Sequence, residues 1–204
     1  MSGPEESGSQ RVVRVVVVSP GDVAAERKRI ATVVDELNRT LASELGILLR
    51  LWRWETDAGP GLHLLGPQGV IDEAMAIEKA DVVVGIFWNR LGTPVPDAES
   101  GTAHELRRAW NLWSATGRPQ VFLYFCERRT RLKTAAEASQ LEALFSFRED
   151  LPGEQLYWSY ESVTSFEREI RQHLTRYVLK RARPAVEILR GGLAGTGAPE
   201  RTWD

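Results

Sequence analysis

The residues of this chain best suited to chemistry lie in Ser100-Gly-Thr-Ala-His-Glu105, together with the segment 80–94 just ahead of them. An apolar run, 80–88, is long enough for a buried strand; it empties into a polar loop bearing Gly92, and the helix that follows carries Glu105 near its start. Ligands of open α/β sheets sit beyond the carboxyl ends of the strands. Glu105 and Ser100 therefore stand where a bound molecule could meet them. A carboxylate in such a place can steady a developing positive charge or capture it covalently.

Two readings of Glu105 stay open on local pattern. Thr102-Ala-His-Glu105 matches a capping box, with Thr102 as N-cap and Glu105 returning to its backbone N–H. Alternatively the side chain faces a ligand. Advancing about 100° per residue from Glu105, Ala109, Trp113, Leu106 and Trp110 fall between about 40° and 140°, with Leu112 near about −20°, so Glu105 borders an apolar stripe. Arg107, Arg108 and Asn111 occupy the opposite face. Both readings are compatible with that placement.

Further candidates flank the same region. Ser19-Pro20-Gly21-Asp22, after the first apolar run, could bind phosphate through loop amides and a helix N-terminus, or simply start a helix with Ser19 as N-cap and Pro20 at its first position. Trp54 and Trp88 offer stacking surfaces for a base, although indoles more often fill cores. Asn89 and Arg90 follow Trp88 directly, and Arg90 could meet a phosphate. No metal site is expected, because Cys126 is the single cysteine and His63, His104 and His173 are scattered.

Composition removes other classes. The 204 residues hold 26 basic and 28 acidic side chains, a net charge of −2 that provides no general pull toward nucleic acid or anionic lipid. No apolar run approaches the about 18 residues a membrane span needs, and the first ten residues lack the character of a secretory signal, so a cytoplasmic protein is expected. Neither a Gly-x-x-x-x-Gly-Lys loop nor a Gly-x-Gly-x-x-Gly after the first strand is present, which removes support for ATPase and ordinary dehydrogenase readings.

The elements that must position these residues alternate along the chain. Strands are expected at 12–18, 47–54, 80–88, 119–125 and 156–160, with helices at 23–45, 70–79, 102–115 and 163–181, and a polar, helix-prone stretch at 127–150. Residues 55–69 carry four glycines and two prolines and read as a loop. Near-continuous apolar strands separated by helices imply a parallel sheet covered on both faces. Flavodoxin-like order 2-1-3-4-5 would set its switch point between strands one and three. The expected organisation is a disordered start at 1–10, one α/β domain at 11–183, and a flexible tail or linker at 184–204.

Ser19-Pro-Gly-Asp-Val with Glu26-Arg27, the segment 80–94, and Ser100-Gly-Thr-Ala-His-Glu-Leu-Arg-Arg-Ala resemble, over about residues 11–180, the TIR-like effector domains of bacterial immune and STAND-type proteins. Gly101-Thr-Ala-His-Glu105 is also similar to the Gly-Thr-x-x-Glu signature of nucleoside deoxyribosyltransferases, which share the architecture. The resemblance implies hydrolysis of the nicotinamide–ribose bond of NAD+, with Glu105 as catalytic residue and Ser100 assisting. NAD+ is then a substrate, and no cofactor is implied. It also implies activation by homo-oligomerisation, a C-terminal sensor or NTPase module, and a role in anti-phage defence. A non-catalytic assembly scaffold and a deoxyribosyl transferase are the alternatives it leaves.

Overall fold

The computed structural model describes residues 10–53, 77–95 and 98–193, with side chains described as far as Ala182. Its strands are β1 (Arg11–Val18), β2 (Ile47–Arg53), β3 (Val82–Phe87), β4 (Gln120–Cys126) and β5 (Tyr157–Tyr160). The helices are α1 (Ala24–Leu37), α2 (Gly101–Thr116), α3 (Ala135–Glu149) and α4 (Val163–Leu193). All four strand pairings are parallel and the order is β2-β1-β3-β4-β5, the expected topology. The switch point lies between β1 and β3.

Alternation along β1 divides the core in two. Val13, Val15 and Val17 point to a layer with Ile30 and Val33 of α1 and Phe166, Ile170 and Leu174 of α4. Val16 and Val18 point the other way, toward Phe87, Leu106 and Ala109 of α2, and Leu144 and Phe147 of α3. A strand covered on both faces needs no polar side, and all six residues of β3 are buried. β3 thus delivers the loop after it to a fixed place at the carboxyl edge of the sheet.

Two local expectations are corrected. The first helix was expected to run to residue 45, but α1 stops at Leu37 and passes into a π-helical turn, Asn38–Ala42. Asn38 explains where the turn is tied: its side chain accepts from the Leu49 backbone N–H and donates to the Leu49 carbonyl, both at 2.8 Å, copying a strand partner at the edge of β2. The closing helix was expected to end near residue 181 with a flexible tail from 184. Instead α4 continues through Pro184 to Leu193, because Ala185-Val-Glu-Ile-Leu-Arg supplies enough helix-compatible residues to resume the helix after one missing donor. Residues 1–9 and 194–204, the loop expected at 55–69 and most of the helix expected at 70–79 lie outside the described residues; Ile77–Lys79 form a 3-10 turn.

Among the described residues no helix is long and apolar enough to cross a membrane.

Candidate functional site

Two loops meet at the switch point. The 3-10 turn Gly21–Val23 leads from β1 into α1, and Asp22 on it accepts the backbone N–H of Asn89, just after β3, at 3.0 Å. That bond spends one oxygen of the carboxylate. The other, Oδ1, is buried and has no hydrogen-bond partner among the described residues. A buried acceptor without a partner is costly, and a ligand hydroxyl or amine would relieve it.

Asp22, Asn89 and Arg90 line a cleft of about 430 Å³ with Arg131, Lys133 and Gln140. The far wall is built by a basic run, residues 128–133, which leaves β4 and stops where Thr134 caps α3: the Thr134 hydroxyl accepts from the Glu137 N–H at 3.2 Å. Glu137 in turn accepts from the Lys133 backbone N–H at 2.6 Å, so the entry to the helix is fixed from both sides. Arg90, Arg131 and Lys133 are exposed cations around one half-buried carboxylate. Phosphates suit the cations and a sugar hydroxyl suits Asp22.

The remaining expected site residues fall in three places. Ser19 and Pro20 are buried and held by Arg27, which donates to the Ser19 hydroxyl at 3.0 Å and the Pro20 carbonyl at 2.6 Å. They shape the turn from beneath, and only Gly21 is exposed. The suggestion that Ser19 caps the first helix is corrected: Pro20 precedes a 3-10 turn, α1 begins at Ala24, and the Ser19 hydroxyl is engaged by Arg27 instead. The Trp88 indole is likewise engaged, donating to the Arg128 carbonyl at 3.1 Å with the Arg128 guanidinium 4.3 Å from its ring centroid. Trp54 lies outside the described residues.

Ser100 and Glu105 sit on α2, and the capping box expected there does not form. Ser100, fully buried, is the N-cap; its hydroxyl accepts from the Ala103 N–H at 3.0 Å and donates to the Leu91 carbonyl at 2.9 Å. The helix therefore starts two residues earlier than the Thr102 reading requires, and Glu105 is too far along it to return to the cap. Its side chain is 5% exposed, within the buried stripe that includes Leu106 and Ala109. Glu105 lines neither this cleft nor the groove described below.

The loop between β3 and α2 joins the two groups. Asn89 and Arg90 face the cleft, Leu91 takes the Ser100 hydroxyl, and the Gly92 N–H donates to Gln140 on the cleft wall at 3.1 Å. Gly92 has φ +122°, and a Cβ there would stand 3.1 Å from Cβ of Ser100. Both facts demand glycine. Gly92→Ala is expected to lower stability by about 1–3 kcal/mol, read as a shift in the urea midpoint, and to raise the KM of any cleft ligand by displacing Asn89 and Arg90.

Behind the cleft lies a pairing that periodicity alone does not show. Glu26 is wholly buried, and its Oε1 accepts from Arg128 Nη2 at 2.6 Å and from the Tyr160 hydroxyl at 3.3 Å. Arg128 also donates to the Cys126 sulfur at 3.0 Å. Burial first, and then the Glu26 charge, push the Tyr160 hydroxyl well above its usual range, so it remains a donor. A signal was present: Val23, Glu26, Arg27, Ile30, Val33, Val34 and Leu37 form one helical stripe, and two of its positions are charged. The residues missed on the cleft wall, Arg131, Lys133 and Gln140, had only the basic run after the fourth strand to mark them.

Among the described residues there is no cluster of His, Cys, Asp or Glu able to hold a metal. A family model described as a domain of unknown function, DUF4062, matches residues 70–175. No curated protein matches the chain.

Proposed function

We propose that this chain, which belongs to the DUF4062 family of domains of unknown function, binds a nucleotide at the carboxyl edge of its sheet and hydrolyses the nicotinamide–ribose bond of NAD+. The observation that carries the reading is the cleft at the switch point, into which Asp22 brings a buried acceptor; Glu105, 5% exposed, stands on the helix that follows the same loop. The likeness to TIR-like domains assigns the catalytic role to this position. The cleft beside the same loop adds cations for a diphosphate and, in Asp22, an acceptor for a sugar hydroxyl.

The reaction asks little of the protein beyond electrostatics. The C1′–N bond breaks with its electron pair going to the pyridinium nitrogen, nicotinamide leaves neutral, and positive charge spreads over the ribosyl ring. Glu105 steadies that charge while a water oxygen bonds to C1′ and releases a proton to solvent. Ser100, buried and bonded at both its lone pair and its proton, acts by fixing the start of α2 and so the position of Glu105. It is a positioning residue.

Incubating concentrated protein with NAD+ is expected to release nicotinamide, with specific activity rising with protein concentration if neighbouring subunits complete the site. A parallel incubation with a deoxynucleoside and a second free base reads the transferase alternative as exchanged nucleoside. Absence of both products at every concentration, with crowding agents included, would leave an assembly role and overturn the enzymatic one.

A further inference from the structure

A second cavity lies far along the sheet from the switch point, at its β4–β5 edge. β5 begins at Tyr157 opposite Leu123, so Gln120, Val121 and Phe122 of β4, paired with β3 on one side, run past its start with no strand partner among the described residues on the other. The opening left beside them is a groove of about 460 Å³ walled by α2, the segment 152–158 and α4. Its walls carry many aromatic side chains, with Trp110, Trp113, Phe122 and Trp158 among them. Trp113 is 39% and Trp158 48% exposed, costly for indoles with no function at the surface.

Several polar groups in the groove are already engaged with one another. Trp110 Nε1 donates to Gln155 Oε1 at 2.9 Å, Gln155 Nε2 reaches the Val121 carbonyl at 3.5 Å, and the Tyr124 hydroxyl meets His173 Nδ1 at 2.6 Å. Around them the groove offers aromatic surface. Burial lowers the His173 pKa, so the ring stays neutral at pH 7. What charge the groove offers comes from its rim: Arg176 and Lys180, one helical turn apart on α4 and both exposed, against Glu154 on the loop before β5. Neither Arg176 nor Lys180 makes an ion pair among the described residues.

We propose that this groove is a binding site for a small amphipathic carboxylate, its apolar body lying among Trp110, Trp113 and Trp158 and its anion held by Arg176 and Lys180. The volume falls in the range of small-molecule sites, and a concave aromatic wall with a few placed polar groups is their usual construction. Charge decides against a second copy of the chain. A twofold contact would bring the two net-positive rims together, and like charges across an interface oppose association. This site is separate from the cleft at β1 and β3, and its occupancy does not depend on the NAD+ reading.

The shared chemistry, an apolar body with one carboxylate, could come from an acyl chain or from an aromatic acid. Calorimetric titration of the full chain with octanoate and with 2-naphthoate separates the two, and octanamide and 2-naphthamide serve as uncharged controls. At least one acid is expected to bind at one site per chain, about tenfold more tightly than its amide. Arg176→Gln combined with Lys180→Gln should erase that preference and leave amide binding unchanged; both side chains are exposed, so circular dichroism should not change. Trp158→Ala should weaken acid and amide together. Equal affinity for acid and amide would overturn the proposal, as would no saturable binding of any of the four up to millimolar concentration. So would a dimer by light scattering that Trp158→Ala returns to monomer, which would give the groove to a second copy.

Discussion

Replacing Glu105 by glutamine is expected to reduce nicotinamide release about 10²–10³-fold, mostly in kcat, with little change in KM. Glutamine keeps the size and shape of the side chain in the buried stripe of α2 and removes only its charge. If the charge stabilises a ribosyl cation, its loss is felt in the transition state and barely in the bound dinucleotide. A structural role would give a different pattern, with a lowered urea midpoint and an unchanged rate per folded molecule. Ser100→Ala separates positioning from chemistry: it removes the cap of α2, worth about 1 kcal/mol of stability, and lowers the rate only through the placement of Glu105. A Glu105→Gln protein that released nicotinamide at the rate of the unaltered chain would remove the mechanism.

The second large effect concerns stability. Arg128→Ala is expected to cost about 3 kcal/mol, because it leaves the fully buried Glu26 carboxylate with one weak donor, the Tyr160 hydroxyl at 3.3 Å. Among the described residues Glu26 Oε2 has no partner even with Arg128 in place, and none stands ready to take over. The same substitution removes the guanidinium over the Trp88 ring and the bond to Cys126. Arg128→Lys keeps a positive charge but loses the fork that spans Glu26 and Cys126, and should recover only part of the loss. Tyr160→Phe, which deletes one hydroxyl, should cost about 1 kcal/mol. Urea denaturation checks the series, and an unchanged midpoint for Arg128→Ala would show that Glu26 is not a charged member of the core. Because Arg128 leads directly into the basic run lining the cleft, the same variant should weaken nucleotide binding more than its global stability loss explains.

How much of the fold could be read from the chain follows from the range over which each signal acts. Strand alternation and helical spacing are local, and the β-branched run at 12–18 and the apolar run at 80–88 marked β1 and β3 without reference to anything distant. Gly117 marked the end of α2, and takes a left-handed φ of 73° there. Helix starts were less legible. Ser100 and Thr102 are both good caps two residues apart, and what chose Ser100 was its bond to the Leu91 carbonyl, nine residues back across the β3–α2 loop.

By itself, then, the sequence determined the elements, their alternation and, through the two-faced burial of β3, a parallel sheet with its switch point between β1 and β3. It also placed Asp22, Asn89 and Arg90 at the carboxyl edge of that sheet, and Glu105 on the helix that follows β3. Only the tertiary structure decided which groups share a site. Glu26 meets Arg128 across 102 positions, and Asp22 meets Asn89 across 67. Periodicity says which face a side chain occupies; its partner on that face is set by how layers pack, and that depends on every element at once.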